Sequence, residues 1–291
     1  MIFKGSSVAL VTPFDKDGNV NYFSLKNLIE YQLANGTKAL IILGTTGESS
    51  TISFEEREKI IKFCVSLVGK KIPIIVGTGS NSTSQAIKLT IQAEKLGASG
   101  ALIVSPYYNK CNQNGLFEHY KKIAKSVNLP IILYNVPSRT GVNIATETVI
   151  KLSKIKNIVG IKEASGNMNQ IIEICNKKRD DFAVYSGDDI LTLPLMALGC
   201  DGVISVTANA YPEQMSMFCD FMLNGDYLNA RRLHKHLSLI NKSLFIDVNP
   251  ICIKFYLNLL GFSVGGTRPP LSKPSTQIQN KLKEVKRYYE N

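Results

Sequence analysis

The chain has 291 residues, of which 44% are hydrophobic and 20% charged, with a formal net charge of +11. This composition excludes the disordered and fibrous classes, and the length suits one large domain with an extension or two smaller ones. No apolar run approaches the roughly 18 residues a membrane helix needs. The opening residues 1–14 lack the apolar core of a secretory signal, so a cytoplasmic protein without membrane contact is expected. The basic residues are spread along the chain. They read first as a solvated basic surface and alternatively as one that steers anionic substrates, and no nucleic-acid-binding module is recognised. The six cysteines (Cys64, Cys111, Cys175, Cys200, Cys219 and Cys252) form no CxxC pair and are expected as reduced thiols. They do not combine with His119, His234 or His236 at ligand spacing, so no metal site is expected.

Short apolar runs at 8–12, 39–43, 73–77, 100–104, 130–135, 158–163, 182–186 and 202–205 read as strands. Amphipathic segments at 24–34, 54–67, 84–96, 116–127, 146–154, 169–176, 190–198 and 213–224 read as the helices that follow them. Ser53 with Glu56 three positions on forms a capping box at one helix start. Near-continuous apolar strands separated by helices imply a parallel sheet. Eight βα units in about 225 residues imply an α/β fold of the closed (β/α)8 TIM-barrel type. Residues 1–224 are therefore expected to form the barrel domain. Residues 225–291 are expected to form a C-terminal extension of three helices, at 226–243, 250–260 and 275–289, with a loop at 265–270.

In such a barrel the chemistry lies where strands end and βα loops begin. On strand six, alternation puts Gly160 and Lys162 on the inner face and Val159 and Ile161 against the helices. A free lysine has a pKa near 10.4, so about one amine in a thousand is neutral near pH 7.4. Desolvation inside a barrel is what turns such an amine into a nucleophile, although the strand alone is more readily read as a lysine reaching solvent. Tyr134 lies in phase with Ile132 on strand five and faces inward, as a proton shuttle or as a structural phenol. Arg139, in the following loop, carries a planar fork suited to a carboxylate. Gly44-Thr45-Thr46-Gly47-Glu48-Ser49 reads as a small anion nest sized for a carboxylate, and it lacks the lysine spacing of a phosphate loop. Tyr107 and Tyr108, after strand four, read equally as interface aromatics or as catalytic hydroxyls.

Seven stretches in order, namely 44–49 (GTTGES), 77–81 (GTGSN), 106–110 (PYYNK), 134–141 (YNVPSRTG), 160–164 (GIKEA), 186–188 (SGD) and 202–206 (GVISV), closely resemble the dihydrodipicolinate synthase family of the N-acetylneuraminate lyase superfamily. The resemblance covers essentially the whole chain. It implies a lyase that condenses pyruvate with L-aspartate 4-semialdehyde on the diaminopimelate route to lysine, with Lys162 as the Schiff-base amine. Thr45 and Tyr134 would belong to a proton-relay triad completed by Tyr108 of a neighbouring subunit. Thr45 and Thr46 would hold the pyruvate carboxylate through backbone N–H groups, and Arg139 would take the carboxylate of the aldehyde. Gly187 and Ile204 would border the site. The resemblance further implies a homotetramer built as a dimer of dimers, with no metal or organic cofactor. Within the superfamily, Arg139 and the double threonine favour the synthase over sialate lyases, whose loop more often resembles GSTGE. A related pyruvate-dependent aldolase and a barrel serving only as a scaffold are the competing readings.

Two departures from the family pattern stand out. Cys111 occupies a position where the family commonly has proline, which bears on loop rigidity. Lysine-inhibited members resemble a site with an asparagine, a glutamate, a tyrosine and often a histidine. Asn81 and Tyr107 match that site, while Gln85 replaces the glutamate and Phe54 and Arg57 stand where some members have histidines. A neutral amide cannot pair with an ammonium and Arg57 repels it, so weak or absent lysine feedback is expected.

Overall fold

The computed structural model describes residues 1–290. Eight strands, β1 (Gly5–Ala9), β2 (Leu40–Ile42), β3 (Ile74–Gly77), β4 (Gly100–Val104), β5 (Ile131–Asn135), β6 (Ile158–Glu163), β7 (Ala183–Ser186) and β8 (Gly202–Ser205), form one closed barrel in sequence order. Every pairing is parallel, and β8 closes the ring against β1 in the register Gly5↔Gly202 to Val8↔Ser205. The seam depends on close backbone approach: a Cβ on Gly202 would stand 2.0 Å from the Gly5 carbonyl oxygen.

Twelve α-helices accompany the strands among the described residues. They are α1 (Tyr22–Ala34), α2 (Phe54–Val68), α3 (Thr83–Lys95), α4 (Gln113–Lys125), α5 (Pro137–Thr140), α6 (Thr146–Ser153), α7 (Met168–Lys177), α8 (Thr192–Ala197), α9 (Pro212–Leu223), α10 (Tyr227–Ser243), α11 (Ile251–Leu259) and α12 (Thr276–Glu290). The expected capping box is formed, with Ser53 accepting from the N–H of Glu56 and Glu56 accepting from the N–H of Ser53. No helix among the described residues is long and apolar enough to cross a membrane.

Strand alternation divides the core in two. Val8, Leu40, Ile42, Ile74, Val76, Ile103, Leu133, Ile161 and Val203 face the helix layer. Ala9, Ile41, Ile75, Leu102, Ile132, Tyr134, Tyr185 and Ile204 fill the barrel interior. Phe3 stacks on Tyr185 with ring centroids 4.2 Å apart, and the Tyr185 hydroxyl donates to the Phe3 carbonyl. This aromatic pair closes the barrel at the end opposite the βα loops.

Three sequence expectations shift. Strand one lies at Gly5–Ala9 rather than 8–12, because the small polar Ser6 and Ser7 enter the ladder and the Ser7 hydroxyl donates to the Val203 carbonyl. Val159 packs against the interior cluster rather than the helices. The β5–β6 register passes from Ile131↔Ile158 to Ile132↔Gly160, so Val159 is the extra residue of a bulge that resets the alternation before Lys162. The loop after β5 contains the single-turn helix α5, entered at Pro137 and closed by Gly141 in the left-handed region.

His119 of α4 is buried, shares a hydrogen bond with the Thr83 hydroxyl at Nδ1 (2.9 Å), and has no partner at Nε2. Burial pushes its pKa from 6.5 down to about 4. The folded chain therefore holds the neutral ring, while the unfolded chain takes up a proton below about pH 6.5. This contribution is fully present above that pH, is lost as pH falls through the window down to about 4, and amounts to about 3 kcal/mol. Urea unfolding at pH 7.5 and pH 4.5 is expected to show a smaller acid-induced loss for His119→Gln than for the unaltered chain.

Candidate active site

Lys162 is the penultimate residue of β6 and faces inward, beside Tyr134 on β5 and Tyr185 on β7 in the strand register. Its side chain is only 5% exposed, and no carboxylate among the described residues lies within ion-pair distance. Its side-chain nitrogen lies over the face of the Tyr134 ring, 4.7 Å from the centroid. The glycine at 187 makes the room, since a Cβ there would meet Lys162 Cε at 3.0 Å and Ala164 Cβ at 2.7 Å.

The amine opens into a cavity of about 460 Å³ at the C-terminal end of the strands. Thr45, Thr46, Tyr134, Arg139, Lys162 and Gly187 all line it. Ile204 is fully buried in the apolar interior and does not line the cavity. Tyr108 also stands outside it, 93% exposed on the loop after β4, at φ +71. Positive φ is unusual for a bulky residue.

The loop after β2 is shaped by hydrogen bonds. The Glu48 N–H donates to the Thr45 carbonyl at 3.1 Å, and the Thr12 hydroxyl donates to the Gly47 carbonyl at 2.7 Å. The N–H groups of Thr45 and Thr46 donate to no other group among the described residues, which leaves two adjacent donors at the cavity wall. Arg139 sits on α5, and its Nη2 donates to the Asn249 carbonyl at 3.1 Å. The Asn249 side-chain amide donates to the Thr46 hydroxyl at 2.9 Å.

Three features of the site escaped the sequence reading. Asn249, read only as the residue before a helix, touches both Thr46 and Arg139. Its sole sequence signal is the Asn-Pro dipeptide at 249–250. Asp188 lines the cavity rim with its carboxyl held above the usual range, first by burial and then by neighbouring Asp189. Glu48 pairs with Lys254 of α11 at 2.7 Å, both sealed from solvent. Burial lowers the Lys254 pKa to about 8, with Glu48 pulling it back up. Stranding one member of such a pair costs about 3–5 kcal/mol. Nothing local in the sequence joins residues 206 positions apart.

A second cavity, also about 460 Å³, adjoins the first through shared Thr45, Arg139 and Asn249. Arg57, Gln85 and Tyr107 line it. Arg57 is buried, its pKa is pushed down to about 10 by that burial, and it donates to the Gly77 carbonyl.

Comparison with known proteins follows the same outline. The model of the dihydrodipicolinate synthetase family matches residues 2–287. A 4-hydroxy-tetrahydrodipicolinate synthase of Clostridium novyi (strain NT) is 49% identical over 290 residues, covering 100% of this chain and 97% of the relative. The crystal structure of dihydrodipicolinate synthase from Aquifex aeolicus superposes with a TM-score of 0.97 at 48% identity, covering 99% of this chain and 98% of that one. The structure of the Thermotoga maritima dihydrodipicolinate synthase gives a TM-score of 0.98 at 44% identity, with 100% and 99% covered. With the barrel, the cavity and these likenesses together, the chain belongs to the dihydrodipicolinate synthetase family.

Proposed function

We propose that the chain is a 4-hydroxy-tetrahydrodipicolinate synthase, joining pyruvate to L-aspartate 4-semialdehyde through an imine on Lys162, in the cytoplasm and on the diaminopimelate route to lysine. The observation that carries this reading is the buried Lys162 amine, without an acidic partner, opening into a cavity it shares with Tyr134, Thr45, Thr46 and Arg139. The amine attacks the pyruvate carbonyl carbon, and the carbinolamine loses water to give a protonated imine. The imine is an electron sink, so a methyl proton leaves and an enamine forms. The enamine carbon attacks the aldehyde, whose oxygen takes up a proton. The amino group of the semialdehyde portion then adds to the imine carbon and expels Lys162, closing the ring.

The free hydroxyls of Thr45 and Tyr134 are placed to carry protons in these steps. The Thr45 and Thr46 N–H groups suit the pyruvate carboxylate, and the Arg139 fork suits the carboxylate of the aldehyde. Gly187 keeps the lysine's path open, and Ile204 supports the apolar floor below it. Tyr108, exposed and outside its own cavity, suits completion of a neighbouring subunit's relay in a homotetramer arranged as a dimer of dimers.

The second cavity bears on feedback. Gln85 and Arg57 stand on its wall in place of an acid and a histidine, and its one lining acid, Glu48, is already taken by Lys254 and the Arg268 N–H, which leaves no free charge partner for the ammonium of lysine. We infer weak or absent inhibition by lysine.

Borohydride reduction in the presence of pyruvate, read by mass spectrometry, is expected to leave a pyruvyl adduct on Lys162 and none on Lys162→Ala. Failure of the unaltered chain to form the adduct removes the whole reading. Arg139→Ala is expected to retain the adduct while kcat/KM for the semialdehyde falls about 100-fold, the scale of a lost charge-assisted bidentate contact. Equal turnover of a keto-sugar acid would instead favour the related aldolase. Isothermal titration is expected to show no lysine binding below about 1 mM, an affinity of about −4 kcal/mol.

A further inference from the structure

Glu48 and Lys254 have no part in the reaction steps above, yet they form the most deeply buried ion pair among the described residues, with exposures of 2% and 1%. Glu48 lies three residues after Thr45 and adopts φ +55, the left-handed region that a non-glycine residue occupies only when its surroundings hold it there. Its N–H closes the turn onto the Thr45 carbonyl. Its carboxylate accepts from Lys254 Nζ at 2.7 Å and from the Arg268 N–H at 2.9 Å. The holding groups are themselves fixed: the Lys254 ammonium and the Arg268 guanidinium both lie over the Phe14 ring, at 4.1 and 4.3 Å, and Arg268 donates to the Thr51 and Gly18 carbonyls. Asn249 grips the opposite side of the same turn through the Thr46 hydroxyl.

A buried ion pair is a weak stabiliser compared with apolar residues of the same volume, so packing alone does not account for it. What it adds is direction. We infer that Lys254 is a positioning residue. Through Glu48 it holds the 45–48 turn in the shape that presents the Thr45 and Thr46 N–H groups side by side to the carboxylate of the keto acid. This rests on the proposed function and deepens it, because it assigns the keto-acid end of the site to a residue of α11 that lines neither cavity.

The test uses the full chain and two readouts: half-saturating pyruvate in borohydride trapping, and kcat/KM for each substrate. Lys254→Met leaves a carboxylate stranded. The double variant Lys254→Met/Glu48→Gln strands no charge, and Glu48→Asp keeps the charge but retracts it by one methylene, so a folding failure of the first variant leaves two others to read. In the double variant, kcat/KM for pyruvate is expected to fall about 10-fold and half-saturating pyruvate to rise in step, while kcat/KM for the semialdehyde stays within about 2-fold. Glu48→Asp is expected to show the same one-sided pattern at smaller size. The inference is overturned if folded variants keep their pyruvate parameters and lose only melting temperature, or if both substrates weaken together. Absence of any pyruvyl adduct in the unaltered chain would overturn the proposed function instead, and the two failures are thereby told apart.

Discussion

A lysine amine enclosed by apolar strands with no acid to pair it is the constraint around which the rest of the molecule is arranged. Burying a charge without a partner is unfavourable by several kcal/mol or more, so the surroundings must both tolerate the amine and keep acids away. Asp188 lines the same cavity but makes no ion pair with the amine, and the other nearby acids are engaged elsewhere. Glu163, next in sequence, points out of the barrel to Asn135 and Gln170 and has its pKa raised by burial. Glu48 is held by Lys254 and Arg268, and Asp189 accepts from the N–H groups of Val206 and Thr207. Tyr134 offers only the face of its ring. The amine is left with space in front of it and nothing to neutralise it, a condition suited to a nucleophile and ill suited to a structural cation.

The residues after β8 complete this arrangement rather than decorate it. Asn249 reaches the loops after β2 and β5 at once, through its side chain and its carbonyl. Arg268 joins the loop 265–270 to Glu56 at the start of α2 and to the Thr51 carbonyl. The loops that form the cavity are thus fastened to a common strap. Under the proposed chemistry, the distance between the two substrate carboxylates is set by that strap as much as by the strands.

Much of this was legible in the sequence, and the limits have physical causes. Parallel strands buried on both faces are written as short apolar runs, so the barrel and the inward phase of Tyr134 could be read directly. The placement of β1 could not, because Ser6 and Ser7 look like loop residues until Ser7 finds the Val203 carbonyl across the seam. Val159 was misplaced because a bulge erases the period-two rule at one position, and only the register with β5 reveals it. The site motifs were readable where each lies on one strand end. Asn249, Lys254 and Arg268 were not, since their partners lie far away along the chain and no spacing records a contact between remote segments.

The pairing of Glu48 with Lys254 also bears on the order in which the protein acquires its parts. The two residues are separated by 206 positions, so the carboxylate of Glu48 is synthesised and carried into the growing barrel long before its counter-ion exists. Contacts that bridge so much chain are entropically late ones. The Glu48–Lys254 contact requires α11 to be docked, so under the inference above the turn beside Lys162 depends on that docking. If that inference holds, the proposed keto-acid end of the pocket depends on a contact as remote in sequence as the β1–β8 seam that closes the barrel.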